Sequence, residues 1–213
     1  IRMFYCYPNS FTDEVLEVMA SDPRFCRYLD MPFQHISDPV LKKMNRKITR
    51  KEIEATMARV RSQLPDVAWR TTFIVGFPTE TDQDFEELVD FVSEGHFQHL
   101  GIFLYSDEDN IRSSKFGDPI PLSLKEERKN RLMEIQQKIS REHHQKMVGS
   151  LQQVLVGGFS SETDLLLEGR NQYQGPEVDG VVYINEGNAT SAGFHQVEIT
   201  EAHEYDLVGK ILN

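Results

Sequence analysis

Residues 70–80, RTTFIVGFPTE, constrain the fold more than any other stretch. A short apolar run at 73–75 stops at Gly76 and Pro78, and a helix signal begins at once. Thr79 to Thr81 offer N-caps, and Asp82, Asp84 and Glu86 place carboxylates against the free amides of a helix start. Buried strand, glycine turn and helix make one unit of an alternating α/β fold. Gly76 removes a Cβ where the chain must turn tightly or let a ligand approach its backbone.

Three further units of the same kind surround it. Residues 1–8 read as a strand ended by Pro8, after which Ser10 or Thr12 caps a short helix buried through Val15, Leu16, Val18 and Met19. Residues 28–33 read as a second strand. Ser37 or Asp38 with Pro39 then opens a helix carrying Val40, Leu41 and Met44. The capping box Thr49/Glu52 opens another, with Ile53, Met57, Val60 and Leu64 on one stripe. The central strand, 69–75, is followed by a helix with Phe85, Leu88, Val89 and Val92 inward. Residues 97–105 form a fourth strand and run into a polar loop at 106–110. A capping box at Ser123/Glu126 begins a long helix, with Leu124, Leu132, Ile135 and Ile139 spaced for burial. Four strands, each followed by helix, predict a parallel sheet with right-handed crossovers over residues 1–146.

From Met147 the pattern changes to short runs at 153–156, 165–167, 180–184, 194–199 and 207–212. Gly157-Gly158, Gly175-Pro176, Asp179-Gly180 and Glu186-Gly187 punctuate them, which predicts a small antiparallel OB-like barrel over 147–213. Charge divides at the same point. The chain carries −11, of which 147–213 supplies −8, with Arg170 and Lys210 against ten acids. Such a segment is a poor phosphate binder and suits a basic partner, although the same acids also serve solubility. Cys6 and Cys26 make neither a disulfide framework nor a metal-site spacing, and read as thiols in a reducing cytoplasm. The apolar runs are strand-sized, so no membrane span is expected, and Ile1 begins inside an apparent strand, as in a fragment of a longer protein.

In parallel α/β sheets ligands bind at the C-terminal strand ends, which here carry Tyr7-Pro8, Gln34-His35, Gly76-Phe77-Pro78 and Tyr105-Ser106. Arg46 and Arg70 add cations suited to a carboxylate. A lone histidine such as His35 is more often a satisfied structural residue than a base. No Ser-His-Asp set, paired carboxylates or phosphate loop stands out, so demanding chemistry would need a cofactor.

YLDMPFQHIS (28–37), LKKMNR (41–46), TFIVGFPTE (72–80) and LYSDE (104–108), taken in that order, resemble the radical S-adenosylmethionine methylthiotransferases. GRNQYQGPEVDG (169–180) resembles the TRAM domain that ends those enzymes. The resemblance implies the last four βα units of a partial (β/α) barrel followed by a TRAM barrel. It also implies S-adenosylmethionine and two [4Fe-4S] clusters, one held by a C-x3-C-x2-C loop that this chain lacks. With no cluster cysteines, no metal ligand and no catalytic residue is expected within these residues, and the segment alone is expected to be inactive. On the same resemblance Gln34, Arg70, Ile74, Gly76 and Phe77 would support S-adenosylmethionine, and Tyr7, His35, Arg46 and Tyr105 would line the substrate cavity. One branch of the family methylthiolates the β-carbon of an aspartate in small-subunit ribosomal protein S-twelve. The other modifies N6-isopentenyladenosine of tRNA. Acidity favours the basic ribosomal protein over nucleic acid, with Glu177, Asp179 and Glu186 as docking residues. A non-catalytic binding module is the rival from another class.

Overall fold

The computed structural model describes residues 1–108, 112–189 and 192–212. Asp109 and Asn110, the end of the polar loop read from the sequence, lie outside them. Three parallel strands, β1 (Tyr28–Asp30), β2 (Ala68–Val75) and β3 (His99–Leu104), lie side by side in that order. They alternate with α1 (Asp13–Ser21), α2 (Asp38–Lys43), α3 (Arg50–Gln63), α4 (Asp82–Ser93) and α5 (Leu122–Gln145). The core between sheet and helices contains Leu16, Leu29, Phe33, Ile53, Val60, Trp69, Phe73, Leu88, Phe97 and Leu132. Both helix starts with reciprocal caps have the predicted chemistry. Thr49 and Glu52 close a box on α3, and Thr81, rather than Thr79, does so with Asp84 on α4.

Several expectations need correction. Residues 1–8 form a single parallel bridge, Met3 with Leu29, rather than a strand. Tyr5 takes a left-handed φ of 54°, which breaks the extended path between two bonds to Asp30. The second strand stops at Asp30, and Gln34, with φ 74°, makes an isolated bridge to Phe73. Val18 is about half exposed, because the short α1 packs through Leu16 and Met19. The Ser123/Glu126 box does not form, since α5 starts two residues earlier, with Pro121 in the N-cap position.

The inward stripe of α5 is mostly polar: Lys125, Arg128, Leu132, Gln136, Ser140 and His144. Leu124, Ile135 and Ile139 are only half-buried. The polar stripe exists because the helix crosses irregular backbone. Gln136 donates to the carbonyls of Phe97 and Gln98, and His144 Nδ1 lies 3.1 Å from the carbonyl of His203.

Beyond α5 come β4 (Leu151–Phe159), β5 (Leu167–Arg170), β6 (Val182–Glu186), β7 (Gly193–Ala202) and β8 (Leu207–Ile211). They close a barrel in the order β4-β5-β6-β8-β7, with every pairing antiparallel except β6–β8, which is parallel. Val154, Val156, Val182, Ile184, Val197, Ile199 and Leu207 fill it. The second strand of this unit lies later than predicted, at 167–170, and leaves Leu165 exposed.

The two units meet through a buried polar plug. Strand alternation puts Asp30, Arg70 and His99 on the sheet face away from the main core, adjacent in register. Asp179 of the second unit reaches in with 1% of its side chain exposed. It accepts from the Tyr28 hydroxyl at 2.7 Å and the Gly175 amide at 2.7 Å, and lies 3.7 Å from Arg70 and 3.5 Å from His99. Burial raises the Tyr28 hydroxyl pKa, and the Asp179 charge adds to the effect, so the phenol stays a donor. Asp179 is therefore a structural residue and cannot dock a partner, whereas Glu177 and Glu186 are exposed. Replacing Asp179 with Ala should cost about 3 kcal/mol in urea unfolding, because Arg70 loses a buried counter-charge. Glu177→Ala and Glu186→Ala should change stability by no more than about 0.5 kcal/mol. Equal effects at all three positions would contradict the plug.

Candidate functional site

The C-terminal ends of β2 and β3 open into a cavity of about 600 Å³. Ile74, Phe77, Leu104, Tyr105 and Phe116 give it an apolar, aromatic wall, and Gln34, Arg46 and Ser106 add polar groups. Phe77 meets Tyr105 and Phe116 edge-on, at 5.3 and 6.1 Å between ring centres. Gln34 is fixed by its backbone, its amide bonding Thr72 O at 2.9 Å and its carbonyl receiving Ile74 N–H at 2.9 Å.

The turn at the mouth is held by one carboxylate. Glu80 is fully buried, and its Oε2 accepts from the amides of Gly76 at 2.7 Å and Phe77 at 3.2 Å. Its Oε1 accepts from Arg128 of α5 at 2.8 Å, and Arg128 also reaches Asp82 at 2.6 Å. Burial pushes the Glu80 pKa up, while Arg128 and the two amides pull it back. Gly76 has φ 75°, and a Cβ there would lie 2.3 Å from Lys125 Cγ, so only glycine fits. Lys125 is itself buried, donating to Tyr105 O at 2.9 Å and to both oxygens of Asp118 at 2.5 and 2.6 Å.

Of the residues expected here, Gln34, Arg46, Ile74, Phe77 and Tyr105 line the cavity. Gly76 shapes the turn without lining it, and Tyr7 stands outside, its ring 5.8 Å beneath the Arg46 guanidinium. Arg70 is excluded. It shares a strand face with Ile74 but sits four residues earlier, roughly 13 Å along the strand, in the plug. His35 is excluded too, being fully buried. Its Nδ1 accepts from the Ser37 amide at 3.0 Å, which puts the proton on Nε2, 3.9 Å from Glu80. Burial lowers its pKa to about 4. Lys125 and Arg128 escaped the sequence reading because charged residues on a long helix read as solvated, and Glu80 because a carboxylate in a polar turn does too. For the two on α5 the available signal was their shared spacing with Leu132, Gln136 and Ser140.

Residues 1–92 match the radical SAM superfamily and residues 148–212 match the TRAM domain. "Ribosomal protein uS12 methylthiotransferase RimO" of Geobacter sulfurreducens is 43% identical over 213 residues, covering all of this chain and 48% of that protein. The protein of the same name from Bdellovibrio bacteriovorus is 48% identical over 212 residues, covering 46% of its length. Over its whole length the chain is similar to proteins that carry the name of RimO-type methylthiotransferases. It spans about half the length of the curated relatives it matches. Among solved structures, the radical SAM enzyme coproporphyrinogen III oxidase (HemN) of Escherichia coli superposes with a TM-score of 0.53. That match covers 64% of this chain and 32% of HemN at 18% identity, a likeness of fold.

The aromatic wall and the fixed Gln34 suit a nucleoside-bearing cofactor such as S-adenosylmethionine. An iron–sulfur cluster does not fit these residues, since two cysteines cannot supply three thiolates. Burial, with Asp30 nearby, also raises the Cys6 thiol to about 11, so it stays protonated. No helix of the described residues is long and apolar enough to cross a membrane.

Glu80→Ala should cost about 3–5 kcal/mol in denaturant unfolding, since it leaves Arg128 and two amides unpaired. His35 predicts a pH effect of defined sign. It is neutral when folded and takes up a proton when unfolded, so its stabilisation is complete above about pH 6.5 and lost as pH falls towards 4. The stability difference between wild type and His35→Gln should therefore shrink by up to about 3 kcal/mol between neutral pH and pH 4. A pH-independent difference would show that His35 is not held neutral.

Proposed function

We propose that this chain forms part of a radical S-adenosylmethionine methylthiotransferase that replaces a β-hydrogen of an aspartate in ribosomal protein uS12 with a methylthio group. The reading is carried by whole-chain similarity to relatives bearing that activity in their names. The cavity at the strand ends supports it. In this reading Ile74, Phe77 and Tyr105 enclose S-adenosylmethionine, and Gln34 orients it by hydrogen bonding. When bound with a [4Fe-4S] cluster held outside these residues, the cofactor supplies the radical chemistry. The residues of this chain bind, orient and exclude water. Two clusters are proposed for the whole enzyme, which acts in the cytoplasm where ribosomal protein is made.

The acidic TRAM barrel then docks the basic substrate protein through exposed groups such as Glu177 and Glu186. The test is anaerobic turnover of the reconstituted full-length protein with uS12 and with unmodified tRNA, read by mass spectrometry. A methylthio gain on a uS12 aspartate, with tRNA unchanged, is the expected result. A methylthioadenosine product would replace this reading with the tRNA activity. Glu177→Lys with Glu186→Lys should weaken uS12 binding about tenfold at low salt and less at high salt. Unchanged affinity would remove the docking role.

A further inference from the structure

The cavity mouth carries an unneutralised positive collar in a chain of net charge −11. Lys42, Lys43, Arg46 and Lys115 all line it, and none is ion-paired among the described residues. Elsewhere Arg24, Arg50, Arg59, Arg128 and Arg131 each meet a carboxylate within 3 Å. Three of the four collar cations rest instead on aromatic faces, which position a charge without cancelling it. Lys43 and Lys115 lie 5.6 and 5.0 Å from the centre of the Phe116 ring, and Arg46 lies over Tyr7.

Arg46 is also fixed by its backbone. Asn45 adopts φ 60° just past α2, and the Arg46 amide bonds back to Leu41 O at 2.9 Å. That is the left-handed helix ending in which the chain turns sharply off the helix axis. Arg46 thus leaves α2 in a set direction beside the cavity, its charge free.

We propose that this collar binds the side-chain carboxylate of the target aspartate, with Arg46 as the principal contact and the three lysines completing the field. The proposal rests on the methylthiotransferase reading above and names what recognises the modified residue. A guanidinium fork matches a carboxylate with two parallel hydrogen bonds, and holding that group fixes the neighbouring β-carbon. The collar also discriminates. It repels the lysines and arginines of a basic substrate protein and attracts its acidic residue, so only the correct side chain is drawn into the mouth. A nucleic-acid backbone would need the positive surface to continue as a track. Here the exposed Asp107 and Glu108 follow Ser106, and the TRAM barrel is strongly acidic.

The experiment measures binding of a labelled uS12-derived peptide, with either Asp or Asn at the target position, to the full-length protein by fluorescence anisotropy. S-adenosylmethionine affinity is measured in parallel by calorimetry. Wild type should prefer the Asp peptide by about tenfold or more, and Arg46→Gln should abolish that preference while leaving cofactor affinity within about twofold. Arg46→Lys should restore part of the preference, and Lys115→Gln should reduce it less. Equal affinity of wild type for both peptides, or equal loss of both in Arg46→Gln, overturns the collar alone. Loss of cofactor affinity instead would assign Arg46 to the carboxylate of S-adenosylmethionine and overturn it too. Binding of an RNA oligonucleotide in place of either peptide overturns both the collar and the protein-substrate reading.

Discussion

The Glu80–Arg128 pair holds the mouth of the sheet in its shape. A fully buried carboxylate is tolerated only because two backbone amides and a guanidinium surround it. Through those contacts the turn after β2, the start of α4 and the inward face of α5 become one unit. Lys125, one turn before Arg128, fills the space that Gly76 leaves empty and anchors the end of β3 through the carbonyl of Tyr105. Phe77 and Tyr105 can therefore face the cavity as a rigid pair.

A second buried polar cluster does the corresponding work at the opposite end of the strands. Asp179 enters from the TRAM barrel, and Tyr28, Arg70 and His99 receive it. The two clusters divide the sheet by function: one end is closed by the neighbouring unit, the other is left open. Burial raises the Asp30 carboxyl pKa, while the Tyr5 amide and Arg70 favour its charged form. Ion pairs of this kind add little net stability over apolar packing. They do make the alignment of the two units specific, because any other orientation would strand buried charges.

The alternation of strand and helix, the capping box at Thr49, an N-cap within 79–81 and the change to an all-β unit were legible from local sequence. Each depends on contacts within a few residues. The same locality explains the misreadings. Residues 1–8 have strand composition, but the left-handed Tyr5 interrupts pairing. Arg70 and His35 are the residue types a binding site needs, yet strand register places one in the plug and the core encloses the other. Asp179 belongs to an acidic stretch that reads as surface, and only its partner across the unit boundary makes it structural.

By itself, then, the sequence determined the two kinds of unit, their order, the turn at Gly76 and the resemblance that points to radical chemistry, because periodicity, caps and motifs are written in neighbouring residues. Tertiary structure alone decided which charges are spent on the fold and which are left for a ligand. Glu80 with Arg128, and Arg70 with Asp179, neutralise one another across tens of residues of intervening chain, and Lys125 meets Asp118. Among the described residues Arg46, Lys42, Lys43 and Lys115 meet no carboxylate. The physical reason is that pairing is a property of distance in space, and a chain that brings opposite charges together in its interior leaves its unpaired ones where a substrate can meet them.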